Sequence, residues 1–149
     1  MGHAMSSNST VEHLLGGKKT LGMQPRTVAD WETLIEGGMP MGAVEALKAS
    51  IAVPDRQLAQ LLGISEKTLS RARSSEGKLE PVASDRLVRV ARVLAMATDV
   101  LEHEAAAVHW LKRPQIGLGG RIPLAMLTTD PGRDQVEKLL LRIEHGVYS

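Results

Sequence analysis

Cysteine and phenylalanine are absent from this chain of 149 residues, and its aromatic side chains are two tryptophans and one tyrosine. Without cysteine the chain can form no disulfide and cannot use a thiolate as a nucleophile. Charged residues also interrupt each apolar run before it reaches the roughly 20 residues that a membrane-spanning helix needs. We therefore expect a cytoplasmic protein that does not enter a membrane.

The apolar residues that are present favour helices. Leu, Ala, Val and Met supply most of them, and Ala and Leu are better helix formers than the β-branched and aromatic residues that strand cores prefer. We expect an all-α fold. Residues 1–25, which are rich in Gly, Ser and Lys, are predicted to be a flexible N-terminal arm.

Apolar spacing and helix-capping residues place the predicted helices. One begins at Thr27–Asp30, and Asp55 and Ser65 are predicted to cap two short helices. The other predicted helices run from Pro40 to Pro54, from Val82 to Leu111, from Pro123 to Leu127 and from Arg133 to Glu144, with Thr129–Gly132 as a turn.

Charge is distributed unevenly along the chain. Between Asp55 and Arg92 eight basic residues accompany five acidic ones, whereas six basic and seven acidic residues follow from Val93 onward. The middle of the chain is therefore better suited to a polyanion than its last third. Three arginines at helical spacing form either a phosphate-binding surface or a solvated face paired with carboxylates: Arg86, Arg89 and Arg92.

The segment from Leu58 to Arg71 has the pattern of a helix-turn-helix, in which two helices cross steeply through a short turn. Ala59 allows the helices to touch, Gly63 tolerates the positive φ of the turn, and Ser65 can cap the second helix. The apolar residues that would lock this corner are Leu58, Leu62, Ile64 and Leu69.

A second helix packed in this way exposes cations and hydroxyl groups. A helix that reads the DNA major groove has the same character, because Arg and Lys pair with guanine edges and phosphates. The predicted DNA-binding residues are Ser65, Lys67, Thr68, Ser70, Arg71 and Arg73. The alternative is a tight helical corner without a role in DNA binding.

No combination of residues indicates catalysis. His103–Glu104 begins like the zinc-binding helix of a protease, but Ala107 stands where the second histidine is required. The glycine-rich segments 16–20 and 117–120 lack the preceding strand that a phosphate or dinucleotide site needs. We expect no enzymatic activity, no metal ion and no other cofactor.

Several motifs occur in a fixed order along about two-thirds of the chain. The first are Leu61-Leu62-Gly63-Ile64-Ser65 with Thr68, Leu69 and Arg71, then Leu79, Ser84–Leu87 and Ala91–Leu94. The later ones are Trp110-Leu111, Pro114, Leu118–Gly120, Pro123-Leu124, Leu127, Thr129, Gly132, Val136, Leu139-Leu140, Arg142–Glu144 and Gly146–Tyr148. This ordered set resembles the Xre/MbcA/ParS-type antitoxin family.

The resemblance implies an Xre-like helix-turn-helix DNA-binding domain at residues 26–80 and a small helical toxin-binding domain, with a C-terminal tail, at residues 81–149. It further implies the antitoxin of a type II toxin–antitoxin module. Such an antitoxin covers the active site of a RES-domain toxin that degrades NAD⁺, and represses its own operon by binding operator DNA. A homodimer within a larger toxin–antitoxin complex is also implied.

The same resemblance suggests how the C-terminal tail would act. Tyr148 would anchor the tail in the toxin's nucleotide cleft, Val147 would fill apolar space, and the carboxylate of Ser149 would meet cationic groups. The predicted toxin-binding residues are Arg142, Glu144, Gly146, Val147, Tyr148 and Ser149. The alternative for this tail is a frayed terminus.

Two other functions remain open on the sequence alone. The first is a stand-alone helix-turn-helix transcription regulator whose C-terminal domain dimerises or senses a small molecule. The second is a protein-interaction module with a vestigial DNA-binding domain.

Overall fold

The computed structural model describes the backbone of residues 3–146 and the side chains from residue 8 to residue 146. Within these residues it consists of ten α-helices and one 3₁₀ turn, with no β-strand, so the all-α prediction is confirmed. The predicted tail residues Val147, Tyr148 and Ser149 lie outside the described residues.

The helices follow one another with short connections. They are α1 (His3–Leu14), α2 (Gly17–Leu21), α3 (Val28–Gly37), α4 (Met41–Ile51), α5 (Asp55–Leu62), α6 (Glu66–Ser74), α7 (Pro81–Leu101), α8 (Glu104–Leu111), the 3₁₀ turn Ile116–Leu118, α9 (Pro123–Met126) and α10 (Asp130–Glu144). None of the described helices combines the length and the apolar content that crossing a membrane requires.

The chain divides into two compact units, Met1–Ala91 and Arg92–Ser149. The division falls inside α7, after residue 91, whereas the family resemblance predicts a domain boundary after residue 80. The start of α7 is bound to the first unit, because the hydroxyl of Ser84 accepts a hydrogen bond from the Met39 amide at 2.8 Å and donates one to the Leu79 carbonyl at 3.2 Å. Ser84 is buried, and these bonds satisfy it.

Two helices, α1 and α2, occupy most of the described part of the predicted flexible arm, so the prediction of a flexible arm is wrong over those residues. Helices α1 and α2 contact each other and α4, and Val11, Leu14, Leu15 and Leu21 are buried. Their spacing in and after α1 gives one apolar face, which the Gly- and Ser-rich composition concealed. Packing of this face, and not the local helix propensity, accounts for the order of the segment.

Capping explains where several helices begin. Thr27 and Asp30 form the predicted start of α3 as a capping box, in which each side chain accepts a hydrogen bond from the other residue's backbone amide. Because the amides of Arg26 and Thr27 donate to its carboxylate, the pKa of Asp30 lies below its usual value. The helix α5 differs from the prediction: Pro54 occupies the N-cap position and Asp55 is the first helical residue.

Asp55 is instead part of an ion-pair cluster that joins α4, α5 and α6. The guanidinium group of Arg73 donates two hydrogen bonds to the carboxylate of Asp55, at 2.8 and 3.1 Å, and two to that of Glu45, at 2.9 and 3.0 Å. The ammonium group of Lys48 lies 3.0 Å from Asp55. Because Arg73 and then Lys48 donate hydrogen bonds to it, the pKa of Asp55 lies well below its ordinary value of 3.8.

The long helix predicted from Val82 to Leu111 is two helices in the structure. Glu102 has a φ of 72°, and His103 is extended at the N-cap of α8, so the helical path is interrupted between Leu101 and Glu104. The interruption redirects the chain, and in the second unit Ala107 and Leu111 of α8 are buried, with α8 in contact with α9. Tertiary packing therefore outweighs the helix propensity of this alanine-rich segment.

The segment predicted as a turn at Thr129–Gly132 forms the start of α10. The hydroxyl of Thr129 caps this helix by accepting a hydrogen bond from the Gly132 amide at 3.1 Å. A Cβ atom at Gly132 would overlap the carbonyl oxygen of Met126, at the end of α9. Gly132 is therefore required by a close backbone contact and not by a turn conformation.

We predict that Gly132→Ala lowers the free energy of unfolding of the second unit by about 1–3 kcal/mol, because the added methyl group forces α9 and α10 apart. Urea unfolding followed by circular dichroism measures the effect. Gly37→Ala is the matched control, because a Cβ there has no neighbour within 4 Å. Equal stability of the two variants would contradict the prediction.

We also predict that Asp55→Asn destabilises the first unit at neutral pH, by roughly 1 kcal/mol or less since the ion pairs are half exposed. The pKa of Asp55 is lower in the folded protein than its ordinary 3.8, so the carboxylate stabilises the fold above that pH and the benefit is lost as pH falls further.

Urea unfolding of the parent protein and the Asp55→Asn variant at pH 7, 5 and 3 tests this pH dependence. The stability difference between the two proteins should be similar at pH 7 and 5 and smaller at pH 3. Asp134→Asn, which removes an exposed pair with Lys138 on α10, should have a smaller effect at pH 7. A difference that grows as the pH falls would refute the ion-pair explanation.

Candidate functional site

The helices α5 and α6 form the predicted helix-turn-helix. Gly63 has a φ of 70° and its amide donates to the carbonyl groups of Ala59 and Gln60, which ends α5. The hydroxyl of Ser65 accepts a hydrogen bond from the Thr68 amide at 3.0 Å and so caps α6. The corner residues Leu58, Ala59, Leu62 and Leu69 are buried, and Ile64 is half-buried.

Arg86, at the start of α7, supports this turn. A Cβ atom at Gly63 would lie 3.2 Å from the guanidinium group of Arg86, so the arginine packs directly over the turn residue. Arg89, one turn later, pairs with Asp85 at 2.8 Å. This ion pair agrees with the second interpretation of the three arginines, a solvated face paired with carboxylates. Spacing along the sequence does not predict the contact between Arg86 and Gly63, because these residues are far apart along the chain.

The outer face of α6 is polar and cationic. Lys67, Thr68, Ser70 and Arg71 are exposed. Ser65 is exposed as well, and its hydroxyl lies 2.9 Å from that of Thr68. These five residues therefore share the surface at and after the N-terminus of α6, where a major-groove reader presents its side chains.

Arg73 is arranged differently from the other predicted DNA-binding residues. Its side chain is half-buried and all four of its hydrogen bonds described above go to Glu45 and Asp55. Hydrogen bonds from Arg73 to Asp55, and then to Glu45, raise the pKa of Arg73 further above its usual value, and the two carboxylates offset its charge. The structure thus assigns Arg73 to the attachment of α6 to α4 and α5, a role that its position in sequence did not reveal.

The second unit presents a shallow groove on α10. It is lined by Gly117, Leu118, Gln135, Lys138, Leu141 and Arg142. Arg142 and Glu144, two of the predicted toxin-binding residues, are exposed on α10. Gly146, the first residue of the predicted tail, has a φ of 69° after the end of this helix, and it is the last residue described.

Ile116 was not among the predicted site residues. Its side chain is 97% exposed, the largest exposure among the bulky apolar residues described. The only signal in the sequence was an isoleucine beside a glycine in a loop that follows Pro114. Within the described residues, no group of three His, Asp or Glu side chains is arranged to hold a metal ion.

Both units match known protein families. The family described as the antitoxin Xre-like helix-turn-helix domain matches residues 30–92. The family described as the antitoxin Xre/MbcA/ParS C-terminal toxin-binding domain matches residues 96–146. The first match ends and the second begins close to the division between the two compact units.

Three curated proteins are similar to the chain over most of its length. A protein named Antitoxin Xre from Yersinia enterocolitica is 31% identical over 116 residues, which are 77% of this chain and 78% of the relative. Another Antitoxin Xre, from Photorhabdus laumondii, is 30% identical over 132 residues, 88% of this chain and 89% of the relative. The Prs ADP-ribosylating antitoxin of a Sphingobium species is 21% identical over 125 residues, 78% of this chain and 79% of the relative.

The α5–α6 corner, the separate C-terminal unit and these similarities over most of the chain lead to one assignment. The chain belongs to the Xre/MbcA/ParS family of antitoxins, with a helix-turn-helix domain followed by a toxin-binding domain.

Proposed function

We propose that this protein neutralises a RES-domain toxin that degrades NAD⁺, by covering the toxin's active site, and that it represses its own operon in the cytoplasm by binding operator DNA. The match of residues 96–146 to a toxin-binding domain carries the proposal. The name of the Sphingobium relative refers to ADP-ribosylation, a reaction that consumes NAD⁺, and this supports a toxin of the NAD⁺-consuming class.

DNA would be bound through the exposed face of α6. Docked in the major groove, the N-terminal part of this helix would bring Ser65, Lys67, Thr68 and Ser70 toward base edges and phosphates, with Arg71 following. The dipole of α6 also favours a phosphate near its N-terminus, although the exposed carboxylate of Glu66 in the first turn opposes this. Arg73 would act indirectly, by fixing the angle of α6 relative to α4 and α5.

A homodimer fits this role because two identical half-site readers match a palindromic operator. Trp31 of α3, a large apolar residue that could have served as a dimer contact, is buried with 3% exposure. Its indole ring therefore contributes to the core of its own unit.

Toxin would be covered by the C-terminal unit and its tail. Arg142 and Glu144 are exposed near the end of α10, and the positive φ of Gly146, two residues after Glu144, departs from the helical conformation. We propose that Val147, Tyr148 and Ser149 enter the toxin's nucleotide cleft, with Tyr148 as the aromatic anchor.

Removal of two cations from α6 should weaken DNA binding. We expect Lys67→Ala/Arg71→Ala to lower the affinity for a duplex from upstream of the gene and to reduce the slope of log K against log salt by about one to two for each bound protomer. Fluorescence anisotropy at several salt concentrations measures both. The control Lys138→Ala/Arg142→Ala removes the same charge from the second unit and should leave the slope unchanged.

Retention of the full affinity and slope by the α6 double variant would contradict the DNA-binding role of this face. A stand-alone regulator and an antitoxin both predict this DNA result, so it does not separate them. The toxin experiment does.

Deletion of Gly146–Ser149 should leave the fold intact and weaken neutralisation of the toxin. Cells that express the neighbouring toxin gene are supplied with the full chain, the truncated chain or Tyr148→Ala, and growth and NAD⁺ content are measured. We expect the full chain to restore both and each variant to restore less, since loss of a buried anchor commonly raises Kd by about thirtyfold.

If the truncated and full chains restore growth and NAD⁺ equally, the proposed role of the tail is wrong, but the antitoxin role stands. Failure of the full chain to restore growth and NAD⁺, together with no binding to the purified toxin, would refute the antitoxin role for this gene pair. The stand-alone regulator would then be the better description.

A further inference from the structure

The loop between α8 and α9 holds Ile116 in a defined position at the surface. The amide of Gln115 donates to the Arg121 carbonyl at 3.1 Å, and the Gln115 carbonyl accepts from the amides of Leu118 and Gly120 at 3.0 and 2.9 Å. The side-chain amide of Gln115 donates to the Trp110 carbonyl at 2.9 Å. This closed set of hydrogen bonds surrounds an isoleucine that is 97% exposed.

The base of the same loop is fixed to α10. Leu118 is buried, and a Cβ atom at Gly117 would lie 2.7 Å from a methyl group of Leu139. The turn that carries Ile116 therefore has apolar packing on one side and solvent on the other. A side chain held in this way loses little conformational freedom when a partner covers it.

A second exposed apolar residue borders the same loop. Leu141 is 43% exposed, and it lines the α10 groove together with Gly117, the residue after Ile116. Lys138 and Arg142 line this groove too, although Lys138 also pairs with Asp134 at 3.0 Å. A single exposed isoleucine is common on protein surfaces. Here, however, two exposed apolar side chains lie beside two cationic ones, Lys138 and Arg142, on a loop and a helix that are held in position by hydrogen bonds and packing.

We propose that Ile116 and Leu141 form an apolar anchor for the toxin, separate from the C-terminal tail. The proposal rests on the toxin-binding function proposed above and names the surface used. The occupant is an apolar pocket on the toxin whose rim carries carboxylates that face Lys138 and Arg142. An apolar centre surrounded by charged groups is the usual arrangement of a protein interface.

The position of this surface favours the toxin as its occupant. It lies within residues 96–146, which match the toxin-binding family, and α10 leads directly toward the tail. A toxin held at Ile116 and Leu141 would keep the tail at high effective concentration near the cleft, so the two contacts would reinforce each other.

Binding of purified toxin to full-length variants tests the anchor. Ile116→Glu and Leu141→Glu should each raise Kd about tenfold or more, because a carboxylate would face an apolar, acidic-rimmed pocket. Ile116→Leu should keep most of the affinity. Val28→Glu is the matched control, since Val28 is a 75% exposed apolar residue on α3 in the first unit.

Charge reversal tests the rim. Lys138→Glu/Arg142→Glu should weaken toxin binding, and more strongly at low than at high salt. All variants should retain the melting temperature and the DNA affinity of the parent protein, which shows that they fold.

The outcomes separate this inference from the proposed function. If the parent protein binds no toxin, the proposed function fails. If the parent binds and Ile116→Glu and Leu141→Glu bind equally well, the anchor is wrong and the function stands. If these variants change only the oligomeric state of the antitoxin, measured by light scattering, the surface joins two copies of this chain and the anchor is again wrong.

Discussion

This structure depends on close contact between helices whose facing surfaces carry small residues. The core consists mainly of Leu, Ala, Val and Met, and with few aromatic rings to fill space the helices must come near one another to exclude water. A Cβ atom at Gly132 would overlap the backbone carbonyl oxygen of Met126. A Cβ atom at Gly42 or Gly117 would lie closer than 3.0 Å to the side chain of Thr20 or Leu139, which would have to shift. Both units use this device.

The two units place different chemistry on their surfaces. In the first, α6 exposes hydroxyl groups and cations beside a capped N-terminus, while Arg73 is held inward by Glu45 and Asp55. In the second, exposed apolar residues adjoin Lys138 and Arg142. An antitoxin with a helix-turn-helix domain and a toxin-binding domain has DNA and a protein as partners. These partners favour different surfaces, because phosphates attract cations whereas the centre of a protein interface is mainly apolar.

The exposed residues of α6 and the loop that carries Ile116 are both held in position by contacts with residues beneath the surface. The turn before α6 is held by its amide bonds, by the Ser65 cap and by the packing of Arg86 over Gly63. The loop that carries Ile116 is held by Gln115 and by Leu118. In each case buried or turn residues hold the exposed ones in position, and an exposed side chain held in this way loses less conformational freedom when it is covered.

Local pattern by itself determined the helical class, the α5–α6 corner and the caps at Thr27 and Ser65, because these depend on residues within one or two turns of each other. Only tertiary structure decided that α1 and α2 are ordered and that the helix breaks at Glu102. It also decided that Arg73 faces Glu45 rather than solvent and that Ile116 remains exposed. These features arise from contacts between residues distant in sequence, and spacing along the chain does not encode which distant partner a side chain will meet.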